Sequence, residues 1–513
     1  MIPGMDAEIA YLFRHALLRD AAYQLQLPGD RARLHGIAFE VIEAGSGGRP
    51  PEPPPLDATE ERAFQPHAAD PVAHELAEHA RLADRPEEPG GRLKSRLLYL
   101  RRAAEVAERR FRLEAAQGCW RELAGIAEGT VRAEALRRAG TAAAMRGRPV
   151  EAEPLLRESS LLFRGHGKRK LECRALGNLA SVFWQTGRLK ESEGAHEEAL
   201  ATARAAGDRR AEGVTLGNLA TVFQETGRIE QAERTLDEAL ALDRESRNRQ
   251  AEGVVLINLG GIYLHTGRIE LAERTHETGL AIFREIGDRR AEGEALGGLA
   301  TIYRVTGRLE EAERHYGLAI SIHREVGNRI FEGVALGNLA IVCLDAGRPV
   351  EAEAMHERAL GIHREVGNRR SEAISLGNLA VVYEQRGRMS EAEVAHKKAL
   401  AIHRETGNSR FEATTLGNLA ILYHRTARLE RAEKDFERAL SILRELSDRQ
   451  FRAVFLWRYA LLSLERGRVA EARRDWRRAA TFLLEMRNSG EHRTAVSEMQ
   501  AACKRAGVLP FDE

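Results

Sequence analysis

The sequence predicts an all-α chain, built as a solenoid of antiparallel helix pairs. Three observations lead there. The phrase Leu-Gly-Asn-Leu-Ala returns at 176–180, 216–220, 336–340, 376–380 and 416–420, with close variants at 256–260 and 296–300. An arginine follows the mid-repeat turn at Arg148, Arg188, Arg228, Arg268, Arg308, Arg348, Arg388, Arg428 and Arg468. The stride from about 139 to 460 is a constant 40 residues. A fixed period of that order marks stacked supersecondary units, each too small to bury its own apolar face.

Taken in order, residues 1–45 read as a helical N-terminal segment, with Leu12, Phe13, Leu17, Leu18, Ala22 and Tyr23 in its first part. Residues 46–71 are rich in Gly and Pro (Gly47, Gly48, Pro50, Pro51, then Pro53 to Pro55) and read as a linker with no core of its own. A short helix is expected over 72–84, broken by Pro86-Glu87-Glu88-Pro89-Gly90-Gly91. Over 94–128 a degenerate repeat is legible in Leu98, Ala103, Ala107, Phe111, Ala116 and Trp120, so 72–138 reads as degenerate N-terminal repeats. The tandem repeats proper span 139–486. Trp457, Arg458 and Tyr459 already replace the signature, and 487–513 reads as a capping helix and tail over the exposed apolar end.

One repeat, 211–250, shows how the pattern dictates structure. Asp208 is placed to cap a first helix. Leu216, Leu219, Ala220 and Phe223 recur at helical spacing and form one apolar stripe. Gly227 ends that helix, as a residue free to take positive φ. The second helix carries Ile229, Ala232, Leu236, Ala239 and Leu240 on one stripe, and Gly-Asp or Gly-Asn closes most repeats, as at Gly287-Asp288 and Gly327-Asn328. Pro149 and Pro349 stand at second-helix starts, where a missing N–H costs little. Leu179, Leu219, Leu259, Leu299, Leu339, Leu379 and Leu419 are the expected core knobs. Ala180, Ala220, Gly260 and Ala300, with Ala232, Ala272 and Ala312, leave room for the neighbouring helix.

The order Leu299, Ala300, Tyr303, Gly307, Ala312, Tyr316, Ala319 resembles the tetratricopeptide repeat. The usual repeat has about 34 residues. The longer unit here is similar to the variants in kinesin light chains and in spindle-orientation adaptors of the Pins type. The resemblance covers about 139–480 and implies a right-handed superhelical solenoid whose first helices line a concave surface. Separately, Leu12 to Tyr23 followed by Arg31-Ala32-Arg33-Leu34-His35 resembles the segment that bridges the nucleotide-binding part to helical-repeat sensors in large signal-transduction ATPases. That resemblance implies a signalling ATPase as a partner. The ATPase module itself is not legible: Gly165-His166-Gly167-Lys168-Arg169 lacks the upstream Gly and the hydroxyl of a phosphate loop.

Composition narrows the function. Of 513 residues 30% are charged, yet Lys plus Arg (78) and Asp plus Glu (77) cancel to a net charge of +1. A nucleic-acid binder usually shows a basic excess or stripe, and neither is legible. No apolar run reaches the ~18 residues that span a bilayer, and Met1 to Asp20 has no apolar segment of signal type. Cys119, Cys173, Cys343 and Cys503 lie far apart without metal spacing, which reads as a reduced, cytoplasmic chain.

Candidate chemistry is sparse. His74-Glu75 with His79 has a spacing of five, where a helical zinc motif needs His at i and i+4. His196, His276, His356 and His396 recur at one position of the second helices, and His323, His363 and His403 at another; packed core imidazoles are expected. The Arg series and Glu153, Glu193, Glu233, Glu273, Glu313, Glu353, Glu393 and Glu433 read as inter-repeat ion-pair ladders. Asn178, Asn218, Asn258, Asn338, Asn378 and Asn418 stand one residue before each core Leu. A carboxamide offers an acceptor and two donor hydrogens. A row of them either holds the backbone of an extended peptide or bonds to its own neighbours and stiffens the stack. Gly298 interrupts the row, leaving room for a bulky ligand group or marking drift. Specificity is expected from the residues two, five and six places after each core Leu, among them Trp184, Arg304 and His424. No catalytic constellation and no cofactor motif is legible. The expected function is a non-enzymatic scaffold that binds an extended peptide or protein segment in the concave groove.

Overall fold

A computed structural model of the chain describes residues 27–58, 64–83, 92–446, 448–485 and 489–511. The segment Leu12 to Tyr23 and the breaker Pro86 to Gly91 lie outside the described residues. The chain divides into two compact units, Met1–Ala139 and Gly140–Glu513.

In the first unit, helices span Pro28–Gly45, Ala73–Leu82, Leu93–Arg109 and Leu113–Ile126. Phe39 meets Tyr99 edge-on at 5.8 Å, and Leu76, Leu100 and Trp120 are fully buried. The Tyr99 hydroxyl donates to Glu43 at 2.6 Å. The described part of the Gly/Pro-rich stretch is tied down rather than hanging free. Buried Arg102 donates to Asp70 (2.7 Å) and to the Gln65 carbonyl (2.9 Å), and Thr130 donates to Asp57. A buried guanidinium must have its donors satisfied, and this segment supplies the acceptors. Phe111, expected on the apolar stripe, sits instead in a turn with φ 52°, a conformation that most other turns of the chain give to glycine.

In the second unit, helix pairs repeat with little variation. Arg209–Glu225 and Ile229–Glu245 are one first and one second helix; Arg249–His265 and Ile269–Glu285 are the next pair. Asp208 accepts the Ala211 amide at 3.1 Å, and Asp288, Asn328, Asn368 and Asn408 cap their own first helices alike. The Gly-Asp/Asn dipeptide therefore ends one helix and starts the next: the glycine turns left-handed (Gly287, φ 71°) and the Asx side chain takes an orphan amide. Helices begin at Pro149 and Pro349. Each core Leu from 179 to 419 is at most 7% exposed. One core slice joins Ala272, Leu299, Tyr303, Tyr316, Ala319 and Leu339 across consecutive pairs. Helix Ser489–Ala506 packs on the last pair, with Met499 and Cys503 buried in the same slice as Trp457 and Trp476.

Candidate binding groove

Within the second unit, first helices of successive repeats touch one another, while second helices come into no comparable contact. The array therefore curves with first helices on its inner side. Positions four apart on a helix share a face, so the inner surface carries parallel rows. Five residues before the core Leu stand Val214, Val254 and Val334, exposed by 43, 45 and 38%, and half-buried Ile374. Glu294 holds the same row position. Its side chain stays exposed and pairs with Arg290 3.1 Å away.

The asparagine row runs beside these valines. Asn178 donates to Thr141 of the preceding first helix at 2.8 Å, as the structural alternative requires. The carboxamides of Asn218, Asn258, Asn338, Asn378 and Asn418 bond to no described residue and remain at least partly open. The three expected specificity residues engage their own chain. Arg304 pairs with Asp345 (2.9 Å) and His424 with Glu465 (2.6 Å), each one repeat on. Trp184 lies under Arg370 (5.6 Å), with its indole N–H buried and unbonded.

Gly298 makes room for the chain itself. A Cβ there would lie 2.7 Å from the His276 ring, and one at Gly260 would lie 2.1 Å from it. The gap is therefore filled by a side chain of the preceding repeat, and the reading of a ligand cavity at Gly298 is corrected. All seven recurring histidines are core residues, at most 4% exposed. Burial lowers His196, His323, His356, His363 and His403 to about 4, so they are neutral at pH 7. At the N-terminal His74-Glu75-His79 sequence, His79 Nδ1 instead lies 2.8 Å from His35 Nδ1. Among the described residues no cluster of three or more His, Cys, Asp or Glu could hold a metal.

The arginine ladder forms. Arg188–Glu153, Arg228–Glu193, Arg268–Glu233, Arg308–Glu273 and Arg428–Glu393 close at 2.6–2.8 Å between adjacent repeats. Each of these guanidiniums also lies 4.3–4.5 Å over an aromatic ring of its own repeat, such as Phe183, Phe223 or Tyr303. A second ladder escaped the sequence reading. Glu252, Glu292, Glu332 and Glu372 each receive one arginine from the preceding second helix and one from their own first turn, as Arg284 and Arg289 at Glu292. The repeated Arg-Glu pair was visible, but its two partners lie on different helices.

The sequence also gave no sign of a seam. Residues 223 apart meet: Asn368 donates to the Met145 carbonyl and the Arg369 amide to the Arg146 carbonyl, both at 3.2 Å. A Cβ on Gly147 would lie 2.7 Å from the Arg370 nitrogen, and one on Gly187 would lie 2.6 Å from Arg410 Cβ. Arg410 bonds Glu225 at 2.9 Å across the same seam. Successive turns of the array thus rest on one another. Arg370, enclosed there, has its pKa lowered to about 10 by burial and by Arg410.

A family model of the tetratricopeptide repeat matches residues 171–245, 251–325, 291–365, 331–405 and 371–445, more than half of the chain. The chain is a tetratricopeptide repeat protein. No curated protein matches it significantly along the sequence. Among solved structures, this tetratricopeptide repeat protein is similar to BtubC (BKLC) from P. vanneervenii, at 23% identity over 42% of this chain and 91% of that one, TM-score 0.36. A Rap protein complexed with competence and sporulation factor matches at 12% identity over 68% and 98%, TM-score 0.47. A kinesin light chain-like repeat protein of Podosopora anserina matches at 20% identity over 37% and 95%, TM-score 0.31. No helix among the described residues is long and apolar enough to cross a membrane.

Proposed function

We propose that this repeat protein is a non-enzymatic scaffold whose inner face binds an extended peptide or protein segment. The observation that carries the reading is the open asparagine row (Asn218, Asn258, Asn338, Asn378, Asn418) beside exposed Val214, Val254 and Val334. Packed helices lie about 10 Å apart, and an extended chain advances ~3.3 Å per residue. Every third ligand residue would then meet a carboxamide, except opposite Gly298, and each carboxamide bonds the backbone whatever the side chain. The valine row takes apolar side chains between those points. In this reading 139–486 carries the ligand and 487–513 caps the stack. A ligand reaches the inner face through an open end of the array or by parting the Asn368–Met145 seam.

Partner capture from a cell lysate tests the proposal, with wild type beside the triple variant Asn258→Ala/Asn338→Ala/Asn378→Ala. Circular dichroism establishes equal helicity. A folded variant that loses the captured partners supports the groove. A folded variant that keeps them makes the row structural and rejects it. The resemblance at 12–35 favours a regulatory setting, with a signalling ATPase as the protein that this arm acts on in the cytoplasm. Deleting 1–71 would then abolish binding to that ATPase while leaving peptide capture intact.

A further inference from the structure

The first carboxylate of the second ladder gives way to arginine at one rung, the last. Arg164 and Arg204 are each clasped by two carboxylates: Arg164 by Glu172 (2.6 Å) and Glu198, Arg204 by Glu212 (2.7 Å) and Glu238 (3.0 Å). Forty residues at a time, the first carboxylate returns as Glu252, Glu292, Glu332, Glu372 and Glu412, each holding its arginine at 2.8–2.9 Å. The second position is acidic only at Glu198 and Glu238 and is basic from Arg358 onward, through Lys398 and Arg438. At the last rung the arginine is Arg444, Arg452 stands where every earlier rung has the first carboxylate, and Arg478 holds the second position. The one cation between two anions of the first two rungs has become three cations.

These three residues line one cavity of about 710 Å³, together with Arg474. Its acidic members are engaged: Asp475 lies 3.6 Å from Arg474, and Glu437 accepts the Tyr459 hydroxyl at 3.2 Å. Among the described residues Arg444, Arg452 and Arg478 form no ion pair. Burial and the neighbouring Arg444 and Arg478 lower the Arg452 pKa, the direction expected of a cation facing like charges. The remaining walls are apolar: Leu440, Leu456, the Tyr459 ring and Phe482, whose ring lies 5.2 Å beneath the Arg452 guanidinium.

We infer that this cavity binds an organic phosphate, its phosphoryl oxygens taken by Arg444, Arg452 and Arg478 and its apolar or aromatic body by Leu456, Tyr459 and Phe482. Guanidinium forks match phosphate oxygens with paired, charge-assisted hydrogen bonds. A volume of several hundred Å³ suits a small molecule of nucleotide size rather than a bare ion. The site lies outside the asparagine row and stands independently of the peptide reading.

Titration calorimetry on the full chain, with inorganic pyrophosphate and with ATP at constant ionic strength, tests it. Wild type should bind both, and ATP more tightly because its base adds the aromatic contact. Arg452→Glu writes the carboxylate of the other rungs into the last one, so it should fold with unchanged helicity and weaken both ligands about tenfold or more. Arg478→Glu should do the same, while Arg431→Glu, outside the cavity, should leave binding unchanged. Absence of pyrophosphate and ATP binding by wild type overturns the assignment. So does equal weakening by Arg431→Glu, or undiminished binding in both cavity variants. ATP no tighter than pyrophosphate overturns the aromatic part of it.

Discussion

Arg247 and Ala427 occupy turn positions that glycine holds in most other repeats, and they take φ of 52° and 56°. A side chain in that region strains the backbone by about 1–2 kcal/mol, against a smaller entropic cost for glycine. Ala427→Gly should therefore stabilise the protein by about 0.5–1 kcal/mol, read as a higher midpoint in urea; a lower midpoint would refute the strain argument. His356 is a second local misfit. It is fully buried, with neither ring nitrogen bonded. At the equivalent site Tyr316 finds Thr301 at 2.8 Å, but Ile341 replaces that threonine in the His356 repeat. His356→Phe should thus gain about 1–2 kcal/mol by removing unsatisfied polar atoms, whereas a loss of stability would show that a hidden partner holds the imidazole. The positions of both residues were legible in the repeat. The want of a partner at His356 was not, because it depends on a residue of the facing helix.

At the scale of the helix, the second helices carry an acid-labile core. His196, His323, His356, His363 and His403 stay neutral down to about pH 4 when folded, because burial penalises the charged ring. Unfolded imidazoles protonate near pH 6.5. Between those values the unfolded chain binds more protons, so stability is complete above about pH 6.5 and falls as pH drops toward 4. Each histidine contributes up to about 3 kcal/mol to that loss. A thermal melt series from pH 7.5 to 4.5 should show a steadily falling midpoint; a flat series would mean that the rings reach solvent. Leu339→Ala, which empties one core slice shared by consecutive pairs, should cost roughly 2–5 kcal/mol, measured by chemical denaturation. These elements were readable in advance since the 3.6-residue stripe, the turn glycines and the Asx caps all point to the same boundaries.

Across the second unit, the seam joins residues 223 positions apart. Across it the Arg369 amide donates to the Arg146 carbonyl and the Asn368 side chain to the Met145 carbonyl, while the equivalent turns 264–268 and 326–330 make no such bond among the described residues. Hydrogen exchange should therefore be slower at the Arg369 amide than at its equivalent Arg329. Equal rates would show that the turns part freely in solution, and a ligand would then need no open end. Gly147 and Gly187 read in the sequence as turn glycines, which they are, with φ of 71° and 79°. Their second role, letting a residue 223 positions away approach, has no local signature.

The sequence by itself determined the helix pairs, their caps, the buried leucines and histidines and the family, because each rests on contacts within one repeat or between neighbours, and the period writes those contacts again at every step. It also offered the asparagine row, one member of which the structure ties to Thr141 while leaving five open. Only the tertiary structure decided that Gly298 is filled by His276, that successive turns touch at Asn368, and that Arg444, Arg452 and Arg478 share one cavity. The physical reason is the same in the three cases. Each depends on how side chains from different helices converge, or on the small rotation between repeats summed over a full turn, and no single stretch of chain encodes either.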